Sequence, residues 1–271
     1  LEAFFIEGTA GRLFAVYYRP ANCKFKGAVM HIPAFAEEMN KSRRMVALQA
    51  RKFAAEGYAV LVFDLFGTGD SEGEFSAATW AIWMQDVLSA YQWLITQGIE
   101  KIHFWTLRSG FLLALNVLEE NICNVATLIS WQPILDGEQF VVQLLRLRVA
   151  SALLDKNAPQ EKTSGLKQKL LDGQAIEVAG YLLNSELINP LLKLSASKML
   201  TKSLEKITVL EISSNHEAAT SPVYTKYRND FQSNGQSVVL NTIFGAQFWA
   251  TQETAEVPDL LIETLACFNY P

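Results

Sequence analysis

The chain has 271 residues, half of them hydrophobic and only 19% charged, so it can bury a large core and is not a disordered polymer. Its formal charge of −5 argues against a nucleic-acid binder that neutralises phosphates, and no apolar run reaches the roughly 18 residues that span a bilayer. Cys23, Cys123 and Cys267 are far apart and match no zinc or CxxC spacing, which predicts reduced thiols in a cytoplasmic protein with neither metal nor other cofactor. The stretch Leu1 to Gly8 has no basic region and no initiator Met. It predicts no signal peptide and a native terminus that was trimmed or replaced.

Phe14 to Tyr18 reads as a strand, and Gly27 to Ile32 as a short buried one. Arg43 to Glu56 has helical spacing at Met45, Leu48, Gln49 and Phe53, and Gly57 suits the C′ position that ends it. Tyr58 to Phe63 is a further buried strand, followed by a glycine-bearing loop from Asp64 to Gly73. Trp80 to Thr96 is an amphipathic helix. Ile102 to Thr106 is a strand, Gly110 to Glu119 a helix that starts almost at once, and Ala126 to Trp131 a strand. From about Gly137 to Lys202 helical periodicity recurs without a strand, in Phe140 to Leu154, Gly165 to Leu171 and Ala175 to Leu192. Strands resume at Ile207 to Ile212 and Ser237 to Thr242, and Val257 to Cys267 closes the chain as a helix. The alternation predicts an α/β fold with a mostly parallel sheet between helices. Residues 1–136 and 203–271 would form its core, and 137–202 a helical cap over the strand ends, where such sheets bind ligands.

The segment Ile102 to Leu115 passes from strand to helix within two or three residues, as a nucleophile elbow does. With the early strands, the late cap and the final helix, it resembles the α/β-hydrolase fold. In G-x-S-x-G register, however, Gly110 is the last glycine, Arg108 takes the nucleophile position and Thr106 the first glycine. A guanidinium stays protonated and cannot attack a carbonyl, although it can pair with a carboxylate or hold an anion. Ser109 comes one residue later, where the backbone N–H ordinarily serves as oxyanion donor and the side chain points away. The literal G-x-S-x-G, Gly69-Asp70-Ser71-Glu72-Gly73, lies on a loop and not on a strand-to-helix turn. Asp64 to Ser71 instead matches the D-x-x-G-x-G-x-S turn that such hydrolases often carry after this strand.

The remaining triad positions are poorly filled. After the last strand comes Ile243-Phe244-Gly245-Ala246-Gln247-Phe248-Trp249, with no histidine to act as base. The acid is expected after Ile212, where Glu217 stands first and Glu211, in the strand itself, second. His216 is in the same loop, as a solvated side chain or as an unusual base. His103 reads as a core or sheet-face residue. His31 precedes Ile32, where hydrolases commonly place the glycine of a His-Gly oxyanion segment. The polar run from Glu37 to Arg44 reads as a helix start capped by Asn40 or Ser42, or as a source of a carboxylate, Glu37 or Glu38, that reaches Arg108.

Pro33 to Met45, Leu107 to Gly110 and Gln247 to Trp249 together resemble the bacterial exosortase A system-associated hydrolases of the second type. The resemblance covers most of the chain. It implies a setting in exopolysaccharide production and C-terminal protein sorting, with that machinery as partner, and a nominal hydrolase of ester, thioester or amide bonds. It supplies no reaction of its own. Catalysis would fall to Ser109, His216 and one of Glu37, Glu38 or Glu217. The alternative is a non-catalytic protein whose Arg108, with Glu37, Glu38, Gln247 and Trp249, holds a small anionic or acyl ligand or closes an ion pair, or one whose cap contacts a partner. Ordinary Ser–His–Asp catalysis is predicted to be absent.

Overall fold

The computed structural model describes residues 1–21, 24–120, 122–152, 161–199, 204–216, 219–233 and 235–268. The chain opens with strands β1 (Glu2–Glu7), β2 (Arg12–Tyr18) and β3 (Ala28–Ile32), then helix α1 (Glu37–Ala55), β4 (Ala59–Phe63) and α2 (Trp80–Thr96). β5 (Ile102–Leu107), α3 (Gly110–Glu119) and β6 (Thr127–Trp131) follow. An excursion then contains α4 (Gly137–Ala152), α5 (Thr163–Leu171), a hairpin of β7 (Ile176–Val178) and β8 (Tyr181–Leu183), and α6 (Ser185–Lys193). The chain returns through β9 (Lys206–Ser213), α7 (Pro222–Ser233), β10 (Val238–Phe244) and α8 (Pro258–Ala266).

Among the described residues, eight strands share one sheet in the order β1-β2-β4-β3-β5-β6-β9-β10. The β1–β2 and β2–β4 pairs are antiparallel and the others parallel. β3 and β5 are buried along their whole length, as central parallel strands covered on both faces must be. Ile102 and Phe104 enter the larger core, with α2, α3 and α7, while Trp105 and Leu107 enter the second, with α1 and α8. No described helix is long and apolar enough to cross a membrane.

Two expectations need correction. α1 begins at Glu37, six residues before the periodicity suggested, so Asn40 and Ser42 lie inside it and cap nothing. The cap position is Ala36, at φ 48° and without a side-chain bond, and the acidic first turn of Glu37 and Glu38 complements the helix dipole instead. The stretch from Ala175 to Leu192 is not one helix. Ile176 and Val178 are buried and Glu177 exposed, a period of two, and Ala179 and Gly180 turn the chain at φ 49° and 85° into the β7–β8 hairpin. α6 starts only after Asn184, whose carboxamide oxygen accepts from Leu187 N–H at 2.8 Å. The expected helix end at Leu154 lies outside the described residues.

The two ends of the excursion are tied together at its root. Asp136 bridges Ser195, Gly137 N–H donates to the Leu194 carbonyl at 3.0 Å, and Ala196 N–H to the Leu135 carbonyl at 2.8 Å. A Cβ on Gly137 would stand 1.9 Å from the Leu191 carbonyl oxygen, so α4 and α6 meet this closely only through glycine. The excursion is also pinned to the core, because Asn184 Nδ2 donates to the carbonyls of Ser76 and Ala78 at 2.9 and 2.7 Å.

Candidate functional site

β5 hands over to α3 through Arg108, whose φ of 53° gives the strained turn of an elbow. The backbone is locked there. Arg108 N–H donates to the Trp131 carbonyl at 3.0 Å, and its own carbonyl accepts from Phe111 and Ile134 at 3.2 and 3.1 Å. Gly110 is required, since a Cβ would lie 2.5 Å from the carbonyl oxygens of Ile32 and Pro33. Thr106, in place of the usual first glycine, is buried and donates to Ser130 Oγ at 2.8 Å.

At the apex the guanidinium is already engaged. Nε and Nη2 of Arg108 donate to Glu38 Oε1 at 3.1 and 2.9 Å, and the guanidinium carbon stands 5.3 Å from the Trp249 ring centroid. The two side chains are only 14% and 20% exposed. Glu38 Oε2 is buried, with no hydrogen-bond partner among the described residues. Burial pushes the Glu38 carboxyl up, and the Arg108 charge and hydrogen bonds oppose that shift.

Beside this pair is a crevice of about 370 Å³ under α4, lined by Arg108, Gln132, Asp136, Gln139, Glu211 and Tyr224 among others. Gln132, at φ 44°, sends its carboxamide oxygen to Ile212 N–H at 2.6 Å. Glu211 Oε2 accepts from Ser221 N–H at 2.9 Å, and Tyr224 donates to the Pro133 carbonyl at 2.9 Å. Burial pushes the Tyr224 phenol up, so it stays neutral. One cation, two carboxylates and amide groups converge here, which suits a small polar ligand. A serine, threonine or cysteine nucleophile needs a base within reach of its hydroxyl or thiol. No such pair with histidine lines the crevice among the described residues, where His31 meets the Trp105 carbonyl and His103 the Thr127 hydroxyl.

Of the predicted residues, Arg108, Glu38 and Trp249 come together and the rest do not. Ser109 is buried, and the void it lines with Trp80, Trp83 and Leu113 holds about 10 Å³, too little for any substrate. His216 is exposed and stacks on Phe244 with ring centroids 3.4 Å apart. Glu37 is exposed and bonds Asn40 and Tyr181 instead of Arg108. Gln247 is exposed, while Phe248 fills the core. Glu217 lies outside the described residues. Ser71 closes a turn: its hydroxyl donates to the Asp64 carbonyl at 2.6 Å and accepts from Phe14 N–H at 2.9 Å. The sequence does not single out Gln132 or Tyr224; Gln132 directly follows β6, and that strand-end position is the one signal it carries.

A model of the X-Pro dipeptidyl-peptidase (S15) family matches residues 8–109, less than half of the chain. No curated protein matches the sequence. Solved structures do. Ferulic-acid-bound Est1E from Butyrivibrio proteoclasticus is 15% identical, with 98% of each chain covered and a TM-score of 0.73. A proline iminopeptidase from Mycobacterium smegmatis is 12% identical over 98% of this chain and 97% of its own, at 0.61. An alpha-beta serine hydrolase homologue from Coxiella burnetii is 15% identical over 100% and 97%, at 0.56. With the mostly parallel eight-stranded sheet, the elbow after β5 and the helices on both faces, these likenesses show that the chain has the α/β-hydrolase fold.

Proposed function

We propose that this protein belongs to the exosortase A system-associated hydrolases of the second type and serves a bacterial exopolysaccharide and protein-sorting system by taking a small acyl-bearing or anionic molecule into the Arg108 crevice. The observation that carries the reading is the elbow itself: its apex presents a guanidinium held by Glu38, and its only serine is buried beside a void too small for a substrate. Arg108 can polarise a carbonyl or pair with a carboxylate, with Glu38 limiting the net charge at the strand ends. Ligand retention without a serine acyl-enzyme is therefore the favoured mode.

Turnover of an ester, thioester or amide is the second reading, favoured by fold neighbours described as a serine hydrolase homologue and a proline iminopeptidase. One experiment separates the two. The folded protein is treated with a fluorophosphonate and mapped by mass spectrometry, and in parallel its melting is followed with ferulate and glucuronate. We expect no serine adduct, and a carboxylate-dependent rise in Tm that Arg108→Ala removes. An adduct on Ser109, or rapid ester turnover blocked by the reagent, would restore serine catalysis.

A further inference from the structure

The α1 face of the sheet holds a second cavity, of about 190 Å³, that shares no lining residue with the Arg108 crevice. Strand register sets its floor. Val16 of β2 pairs with Val62 of β4, Val62 with His31 of β3, and His31 with Trp105 of β5. Met39 and Val46 of α1 close it from above, yet Val16, Val62 and Ala47 remain only half-buried, so it opens past the edge of the helix. Arg43 and Asp64, paired at 2.9 Å, stand at its rim and leave no net charge there.

One side chain in this apolar wall is out of character. His31 is 2% exposed, and its ring packs 4.4 Å from that of Trp105. Its Nδ1 lies 3.2 Å from the Trp105 carbonyl oxygen, to which it can only donate, so Nδ1 holds the proton and Nε2 is an acceptor. Among the described residues nothing donates to Nε2. Burial depresses the imidazole to about 3, which keeps it neutral. A ligand hydroxyl entering the cavity can donate to this acceptor in surroundings that are otherwise apolar. A charged ligand would find no counter-charge and would lose its hydration. For size, an apolar cavity of about 150 Å³ holds benzene.

We propose that this cavity is a binding site for a neutral molecule of phenol size, an apolar ring or short chain with one hydroxyl that donates to His31 Nε2. The proposal is independent of the Arg108 reading.

Phenol and toluene, alike in shape but not in the donor, are titrated into the full chain by calorimetry, with the His31 ring nitrogens followed by NMR. The expected result is saturable phenol binding that moves the Nε2 resonance, with toluene about tenfold weaker. Ala47→Trp, which fills the opening from a half-buried helix position, should abolish binding, and Val62→Phe should do so from the floor. His31→Leu should make phenol and toluene equal. No phenol binding, binding indifferent to both filling variants, or equal affinity of the two probes in the unsubstituted chain would overturn the proposal.

Discussion

Arg108 and Glu38 illustrate how a cation is kept at a position the fold ordinarily gives to a neutral nucleophile. The guanidinium stacks on Trp249 and bonds one oxygen of a carboxylate that is itself poorly solvated. Removing one partner leaves the other buried and uncompensated, which typically costs about 3 kcal/mol, whereas removing both costs little. Arg108→Ala should therefore destabilise the fold by about that amount at pH 8. Arg108→Met with Glu38→Leu should recover most of it. The acid dependence has a definite sign. Without Arg108, the Glu38 carboxyl loses the influence that opposes its upward shift, so it protonates more readily and the deficit shrinks as the pH falls toward 5. Urea unfolding at the two pH values checks this, and a deficit independent of pH would show that Glu38 carries no charge in the fold.

At the scale of elements, the attachment of α6 is the feature most open to test. Asn184 caps the helix and also bonds the Ser76 and Ala78 carbonyls, so Asn184→Ala should cost about 2–3 kcal/mol, more than the ~1 kcal/mol of an ordinary cap. Thr79, which caps α2 through one bond to Ile82 N–H at 3.1 Å, gives the comparison: Thr79→Ala should cost only the ordinary amount. Thermal melts of both variants decide it, and equal losses would mean that the tie to the core contributes nothing. The same elements show what the sequence disclosed. α2 and α3 have the bounds their periodicity and glycines suggest, because their apolar stripes end where the helices do. α1 does not, because its first turn is polar and its N-cap is an alanine held by a strained loop, a tertiary effect with no local signature. The β7–β8 hairpin was hidden because each strand has only three residues, too few to separate a period of two from 3.6. The Arg108–Glu38 pair was legible as a choice between two adjacent glutamates, and only the helix phase distinguishes them. Crevice residues such as Glu211 and Tyr224 come from separate returns to the sheet, so no spacing in the sequence links them.

For the molecule as a whole, buried ionisable groups away from the elbow set opposing dependences on pH. His31 and His103 are depressed by burial to about 3 and about 4, so the stability they permit is complete above about pH 6.5 and declines as the pH falls. Asp86, on α2, is raised by burial to about 7 despite the hydrogen bond from Phe66 N–H. Its contribution is present below about pH 4 and is lost as the pH rises toward 7. Asp86→Asn keeps an acceptor for Phe66, so it should be more stable than the parent by a margin that grows from pH 5 to pH 7 and is then constant. Urea unfolding at pH 5 and 8 tests this, and an equal margin at both would sink it.

The bridge between Asp136 and Ser195 has a consequence for how such a molecule can be rebuilt. Because the chain leaves and rejoins the core at neighbouring points, closing the gap between them with a short linker would cost little chain entropy. Covers of different length could start and end at this same pair of points, provided each supplies apolar side chains where Leu166, Leu170, Leu187 and Leu191 now join the core of the sheet.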